Sequence, residues 1–473
     1  MRKLTELLAH IDILDTKGDV DIIISSISLN SKSVDPNSIF VALVGNATDG
    51  HLYIEQAIDG GALAILYEED PKVFKDGITY IKAFDTHDAL GRIASAFYGH
   101  PSEKLKLIGV TGTNGKTTVA TLLHSLFRGL GHKAGMIGTV VNKINDMSFE
   151  AIRTTPDPIA LNKLLSSMVT EGCSYCFMEV SSHAVSEKRI MGLSFAGSVF
   201  TNLTQDHLDY HQTIENYRDA KKKFFDDLSE ASFALSNHDD PNGEYMLRDT
   251  KAKKYFYSLK NDTDLPEGKA DFTERLETKL IGEFNAYNAL AIYGAAVALG
   301  EDPSRVREVM KKLEPVPGRF QYFKNDKGVT GIVDYAHTPD ALENVLRTVN
   351  DMKKNGRIIS VFGCGGDRDR TKRPIMARIG YDMSDAVILT SDNPRSEDPD
   401  DILIEMKKGI EGLPEDKVFL ISDRKEAIQK ACFLARTGDY ILIVGKGHEN
   451  YQEVKGIKSH FDDIEELKKC LLQ

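Results

Sequence analysis

Residues 105–118 read LKLIGVTGTNGKTT, a set of types and spacings suited to binding a polyphosphate. Gly112 and Gly115 let backbone N–H groups approach phosphate oxygens with no Cβ in the way, Lys116 brings a mobile positive charge, and Thr117 brings a hydroxyl that can join a Mg²⁺ shell. Val110 stands where the commoner loop has its first glycine, so this is the shorter GxxGK[ST] form. Glu179, in MEVSSH, and His207, in TNLTQDHLDYH, each follow an apolar run. A carboxylate, an imidazole and a threonine hydroxyl can fix Mg²⁺ against phosphates, because that ion takes few protein ligands and completes its shell with phosphate oxygens and water. His211 lies four residues past His207, but no further Cys or His stands with them at zinc-site spacing. The ligand these residues point to is a nucleoside triphosphate.

Such a loop works only between a strand that ends and a helix that begins, and the flanking LKLIGV and VATLLHSLF supply both. AGMIGTVV, YCFMEVSS and FAGSVFTNL read as further buried strands, and EFNAYNALAIYGAAVALG as a long helix. Before this unit, DIIISSI, SIFVALVG, GALAILYEE and GITYIKAF alternate with helical stretches as far as Pro101. After PVPGR, whose prolines and glycine stop the helical region, IVDYAH, IISVFGC, AVILTSD, VFLIS and YILIVGKG alternate with helices, as in a parallel sheet built from crossovers. The expectation is an α/β chain of three domains, 1–101, 102–316 and 317–473. The central one is a P-loop ATPase-like parallel sheet and the last is Rossmann-like, with GCGGDR and GKGHE at the strand ends where such sheets keep ligands.

A chain of 473 residues is too long for one core, in line with roughly three domains. Its formal net charge of −12 argues against a broad nucleic-acid or anionic-membrane surface, so anionic substrates must meet local basic or backbone sites. The start, MRKLTELLAHIDILDTKGD, is broken by charges and reads as no signal peptide, and no later run is apolar enough to span a bilayer, which together predict a cytoplasmic protein. Five cysteines form no disulfide framework. The Cys173–Cys176 pair lies in what reads as a buried strand, whereas a redox CxxC opens a helix.

In order along the chain stand GTNGKTT, TTPD (154–157), EVSSH, TNLTQDHLDYH, YRDAKKKFF, GEFNAYNALAI, PGRF, VDYAHTPDAL, GCGGDRDRTKRP, DNPR and GKGHE. This ordered set resembles the Mur ligases, and within them the branch that adds meso-diaminopimelate. The resemblance implies an ATP-dependent amide-bond ligase of peptidoglycan-precursor synthesis, with UDP-N-acetylmuramoyl-L-alanyl-D-glutamate, ATP and meso-diaminopimelate as its partners and Mg²⁺ as its ion. The expected state is a monomer, and the net charge and the lack of a spanning run predict no nucleic-acid partner and no membrane insertion. An L-lysine-adding Mur ligase is the nearer alternative; folylpolyglutamate synthetase, which lacks the UDP-binding first domain, is the more distant one.

By the same resemblance, Gly112, Thr113, Asn114, Gly115, Lys116, Thr117 and Thr118 hold the phosphates of ATP. Asn285 and Asn288 face the adenine, and Arg319, Asp334 and His337 reach the nucleotide from the third domain. Lys116, His207 and Lys221 are the implied catalytic residues, with Thr117, Glu179, His207 and Lys221 as the metal set. On composition alone Lys221 is one of a solvated run of lysines; the resemblance matches it to a carbamylated lysine, whose modification turns a cation into an anion. Leu29, Ser31, Asn46, Ala47 and Thr48 are implied to meet the UDP-sugar, and Thr154, Thr155, Ser181, Glu187 and Arg189 the muramoyl peptide. Glu187 stands where many relatives have Gln, and Asn30 where Asp is commoner. For diaminopimelate the implied contacts are Arg368, Asp392, Asn393, Pro394, Arg395, Gly445 and Glu449. Arg395 can grip the second carboxylate through two parallel charge-assisted hydrogen bonds.

Overall fold

The computed structural model describes every residue except 46–47, 261–270, 354 and 472–473. Among the described residues the strands form three principal sheets and two small two-stranded ribbons, each principal sheet drawn from one continuous stretch of chain. The first has the spatial order Ile13–Lys17, Thr79–Ala83, Ala62–Tyr67, Ser38–Val41 and Ile27–Ser28, antiparallel at its first pair and parallel thereafter. Alternate side chains go to opposite faces: Ile39 and Val41 pack with Leu90 and Ile93 of the helix Thr86–Phe97, whereas Phe40 packs with Ile54 and Tyr80. Short elements at the start lie outside the expected ones: the strand Arg2–Lys3, which pairs with Ile23–Ile24 within the expected strand DIIISSI, and the five-residue helix Leu4–Leu8 that follows it. Elements this short carry little periodicity and depend on tertiary contact, here the burial of Leu4, Leu7 and Leu8 and the hydrogen bond from Leu4 N to Ile22 O at 2.8 Å.

The central sheet has nine strands, in the order Met147–Glu150, Val141–Ile144, Ala134–Ile137, Tyr175–Glu179, Lys106–Thr111, Gly197–Phe200, Phe233–Asn237, Lys253–Tyr257 and Asp271–Phe272. The last seven are mutually parallel; the first two form an antiparallel extension. Ile108 and Val110 face one layer, with the helices Lys116–Gly129 and Glu283–Ala298, while Leu107 faces the other. The three strands Tyr175–Glu179, Lys106–Thr111 and Gly197–Phe200 are neighbours, so the segments that follow them leave one edge of the sheet side by side.

The third sheet has the order Gln321–Lys324, Thr330–Asp334, Tyr440–Val444, Ile358–Phe362, Ala386–Leu389 and Val418–Leu420, parallel except for its first pair. That antiparallel edge strand is an addition to the all-parallel sheet expected from the alternating pattern; Gln321–Lys324 alternates half-buried and exposed residues, as an edge strand does. Helices cover both faces, with Ile332, Ile358 and Leu442 on one and Val333, Ile359 and Ile441 on the other. Among the described residues no helix is long and apolar enough to cross a membrane.

Candidate active site

The loop after Lys106–Thr111 is shaped by close approach of backbone. Gly112 has φ +147°, and a Cβ there would overlap Thr201 Oγ1 and lie 3.0 Å from the Asn202 backbone. At Gly115, φ is +88° and a Cβ would lie 2.5 Å from Asn288 Oδ1. Neighbouring segments fix the loop: Thr113 N donates to Asn202 O at 2.8 Å, Asn114 N to Asn202 Oδ1 at 2.9 Å, and Thr201 Oγ1 to Asn114 O at 2.6 Å. The helix Lys116–Gly129 starts directly beyond it, so its unpaired first N–H groups, including those of Thr117 and Thr118, face the loop. Lys116 Nζ caps the loop, donating to Gly112 O at 2.9 Å and Thr113 O at 2.8 Å.

Glu179 ends the adjacent strand and is 1% exposed. Its Oε2 accepts from Thr117 Oγ1 at 2.9 Å and Thr139 Oγ1 at 3.0 Å, and its Oε1 from Thr139 N at 2.8 Å. A buried carboxylate joined to hydroxyls at the mouth of a phosphate loop is a hard-oxygen donor set of the kind Mg²⁺ takes. His207, in the left-handed conformation at φ +55°, lies with Nε2 3.4 Å from Asp206 Oδ2. Burial pushes the His207 imidazole down, with Asp206 opposing. The Asp206 carboxyl is buried too, which alone would raise it, but His207, His337, Lys372 and Lys116 hold it well below the usual carboxylate range.

Lys221 is 1% exposed despite its place in a lysine run. It lies on the inner face of the helix Ile214–Asp226 with Tyr217 and Phe224, and its Nζ donates to Gly112 O at 2.9 Å and sits 4.4 Å from the Tyr217 ring centre. Burial drives its pKa well below the ordinary lysine value, and the charge of Lys116 adds to this while Asp206 opposes it. Such a site favours the neutral amine that carbamate formation requires.

The third sheet meets this loop from across the cavity. Arg319 Nη2 donates to Thr117 Oγ1 at 3.1 Å with its guanidinium 4.4 Å from the Tyr335 ring centre, and Asn114 Nδ2 donates to Asp340 Oδ2 at 3.0 Å. Asp334 accepts from Phe320 N at 2.6 Å and Ala336 N at 2.7 Å, which shapes the turn after its strand. His337 Nδ1 lies 2.9 Å from Tyr335 O, and burial with Lys372 nearby pushes its imidazole down to about 4. Asn288 Nδ2 donates to Asn285 Oδ1 at 3.1 Å, and Asn285 Nδ2 to Ile281 O at 2.8 Å. Of the two, Asn288 lines the cavity.

The cavity, about 360 Å³, runs from the phosphate loop to the ends of the third sheet's strands, where Arg368, Asp392, Asn393, Arg395, Gly445 and Glu449 line it. Asn393 Nδ2 donates to Glu449 Oε2 at 2.8 Å, and Lys446, buried beneath, donates to Asn393 Oδ1 at 3.1 Å and Glu449 Oε2 at 3.0 Å. Burial and Asp392 raise the Glu449 carboxyl, against Lys446 and Asn393. Arg395, at φ +54°, donates through Nη1 to Gly366 O at 2.7 Å, and Pro394 is buried behind it.

Thr154 and Ser181 line the same cavity. Buried Thr155 donates to Glu179 O at 2.8 Å, and Ser181 caps the short helix Ser182–Ser186. Glu187 accepts from Arg189 Nε at 2.8 Å and Nη2 at 2.5 Å, so its charge is neutralised within the chain, while Arg189 Nη1 donates to Thr155 O at 3.0 Å. Leu29, Ser31 and Thr48 stand apart, outside that cavity, in loops that follow the first-sheet strands Ile27–Ser28 and Ser38–Val41; Ser31 donates to Gln56 Oε1 at 2.8 Å and Thr48 Oγ1 to Tyr53 Oη at 3.2 Å. Asn46 and Ala47 lie outside the described residues.

The family model for the Mur ligase middle domain matches residues 110–296, that for the Mur ligase glutamate ligase domain 318–447, and that for the Mur ligase family catalytic domain 23–98. A protein of Bacteroides fragilis named UDP-N-acetylmuramoyl-L-alanyl-D-glutamate--2,6-diaminopimelate ligase is 52% identical over 477 residues, covering 98% of this chain and 98% of its own. The chain belongs to the Mur ligase family. A protein of the same name from Bacteroides thetaiotaomicron is 52% identical over 98% of this Mur ligase and 99% of its own length. A solved structure of a ligase of that name superimposes with TM-score 0.69 at 32% identity, covering 99% of this chain and 98% of that one. As a member of this family the chain is an ATP-dependent ligase with the three-domain α/β architecture.

Four further side chains of this Mur ligase, Asp206, Lys372, Tyr217 and Thr139, line or support the cavity without standing out in the sequence. Asp206 and Lys372 lie within quoted motifs, and Lys372 Nζ donates to His337 O at 2.9 Å. Tyr217 Oη lies 3.1 Å from Thr113 Oγ1, and Thr139 completes the shell of Glu179. The signal for Tyr217 was available: Tyr217, Lys221 and Phe224 share one helical face.

Proposed function

We propose that this Mur ligase joins meso-2,6-diaminopimelate to UDP-N-acetylmuramoyl-L-alanyl-D-glutamate at the expense of ATP, in the cytoplasm and as a monomer, with domain limits at 1–101, 102–316 and 317–473. One observation carries the reading: a single cavity is lined at one end by the phosphate loop with Lys116 and at the other by Asn393, Arg395 and Glu449. The names of the half-identical, full-length relatives support it.

A carboxylate is a poor electrophile, so the γ-phosphoryl group of ATP is first transferred to the carboxylate of the dipeptide, giving an acyl phosphate and ADP. The amine of diaminopimelate then attacks the acyl carbon, and the tetrahedral intermediate expels phosphate, leaving the amide. Little covalent work falls to the protein; positioning and charge neutralisation carry catalysis. In this reading the loop amides and Lys116 face the transferring phosphoryl group, Arg319 approaches from the third domain, and closure of that domain over the cavity would keep water from the acyl phosphate. Thr117 and Glu179 would hold one Mg²⁺, and His207 with carbamylated Lys221 a second; bound there, the ions would offset phosphate charge. Arg395 would fork onto the distal carboxylate of diaminopimelate, and Glu449 would meet its ammonium.

The test is ADP release from purified protein with ATP, the UDP-linked dipeptide and meso-diaminopimelate, each omitted in turn. Release that needs all three, with a product heavier than the dipeptide substrate by one diaminopimelate less water, is expected. Release unaffected by omitting the amino acid overturns the reading.

A further inference from the structure

Beneath the third sheet's two pocket loops lies an ion pair that takes no part in the chemistry above. Arg424 opens the helix Arg424–Leu434 and Asp463 opens the helix Asp463–Leu471. Both side chains are 0% exposed. Arg424 Nε donates to Asp463 Oδ1 at 2.8 Å and Nη2 to Asp463 Oδ2 at 2.8 Å. The guanidinium also reaches backbone, through Nη1 to Ser391 O at 3.2 Å and through Nη2 to Val444 O at 3.0 Å. Ser391 and Val444 are the residues directly before Asp392 and Gly445, where the chain turns into the loops that line the cavity.

We propose that Arg424 is a positioning residue that sets the spacing of the Asp392–Arg395 and Gly445–Glu449 loops, and through it the shape of the pocket for the added amino acid. The proposal rests on the reading of that pocket given above. A buried ion pair is a poor device for stability alone, since apolar residues of similar volume usually serve as well or better. What only a guanidinium supplies is a planar set of N–H donors at fixed mutual angles, here holding one carboxylate and two carbonyls at once. The two loops have no slack where Arg424 holds them: Gly445 has φ +117°, and a Cβ on it would lie 2.5 Å from Asp392 Oδ2. On the cavity side the loops touch through Asn393, Lys446 and Glu449, and Gln452 Nε2 donates to Asp392 O at 2.8 Å. A displacement of Ser391 or Val444 is therefore passed directly to the residues that face the amino acid.

Two full-length variants test this: Arg424→Lys, which keeps the charge and loses the fork, and the double variant Arg424→Met with Asp463→Leu, which leaves no unpaired buried charge. KM for each of the three substrates is measured by ADP release, beside a melting curve. The expected result is a folded protein whose KM for the amino acid rises at least tenfold while KM for ATP and for the UDP-linked dipeptide stays within twofold. Unchanged KM for the amino acid in a folded variant, an equal rise in all three constants, or loss of folding in both variants would each overturn the positioning role. Wild-type protein run in parallel keeps the two readings apart. Preference of the wild type for L-lysine would overturn the diaminopimelate assignment, and the Arg424 comparison would then be read with L-lysine.

Discussion

Lys116, half-buried at the cavity wall, and Lys221, buried, place two ammonium groups against the same carbonyl, Gly112 O. Each is depressed by burial first, and Lys221 is further depressed by its neighbour. Anionic phosphate would relieve this repulsion, so the two lysines form a pocket that prefers a filled state. Lys116→Ala should fold normally and lose more than nine-tenths of kcat, because its charge matters most as the phosphoryl group is transferred. A folded variant retaining over a tenth of activity would remove Lys116 from that role. Lys221→Ala should be severely impaired and regain part of its activity when a small carboxylic acid such as acetate is supplied, the acid standing where the carbamate would. Normal activity with no additive would return Lys221 to a structural place in its helix. Legibility differed sharply between these residues. Gly112 and Gly115 were readable because their need is local and conformational, whereas Lys221 looked solvated beside exposed Lys223. Only the stripe of Tyr217, Lys221 and Phe224 on one helical face marks it as buried, and the identity of its partners depends on segments far away in sequence.

At the scale of elements, the helix Lys116–Gly129 must hold still for the loop before it to keep its shape, and past its first turn it buries an imidazole among apolar side chains. His124 is 4% exposed, with Nε2 3.1 Å from Asn145 O, and burial, with Lys143 and Arg128, pushes its imidazole down to about 4. The unfolded chain takes that proton near pH 6.5 while the native state refuses it until about pH 4. The stability this group contributes is therefore present above about pH 6.5 and lost as pH falls toward 4, by up to about 1.4 kcal/mol per pH unit. Urea unfolding of wild type and His124→Gln at pH 7 and pH 5 should show the wild type losing about 2 kcal/mol more than the variant over that interval. An identical loss in both would show that His124 does not refuse its proton. Elements with strong alternation or long apolar faces, such as the strands around Ile108 and Ile359, were legible from their residues. The helix Leu4–Leu8 and the antiparallel edge strand Gln321–Lys324 were not, because tertiary contact decides them.

At the scale of the whole molecule, the reaction needs groups from stretches of chain far apart in sequence to meet. Arg319 touching Thr117, Asn114 touching Asp340 and Gln205 Nε2 donating to Thr371 Oγ1 at 3.1 Å are among the contacts that join the central and third sheets, beside Ile281 and Phe284 packed on the third sheet's core, with the ring centres of Phe284 and Phe320 6.0 Å apart. The polar members of this set can exchange their partners for water, which suits a closure that opens to release product. Small-angle scattering with a non-hydrolysable ATP analogue and the UDP-linked dipeptide should show a smaller radius of gyration than the free protein; an unchanged profile would argue against hinged closure. The domain order was legible because each sheet is contiguous in sequence, but the meeting of the phosphate loop with the 317–473 stretch was legible only through family resemblance. The central claim is that one cavity couples ATP to a recognition site for a doubly headed amino acid. Its most direct test is the ratio of kcat/KM for meso-diaminopimelate over L-lysine, in wild type and in Arg395→Ala. The account predicts a ratio of about 10⁴ in the wild type, since a site built around a polar group leaves its partners unpaired when that group is missing, and a collapse of the ratio in the variant. Equal or better use of L-lysine by the wild type would contradict it.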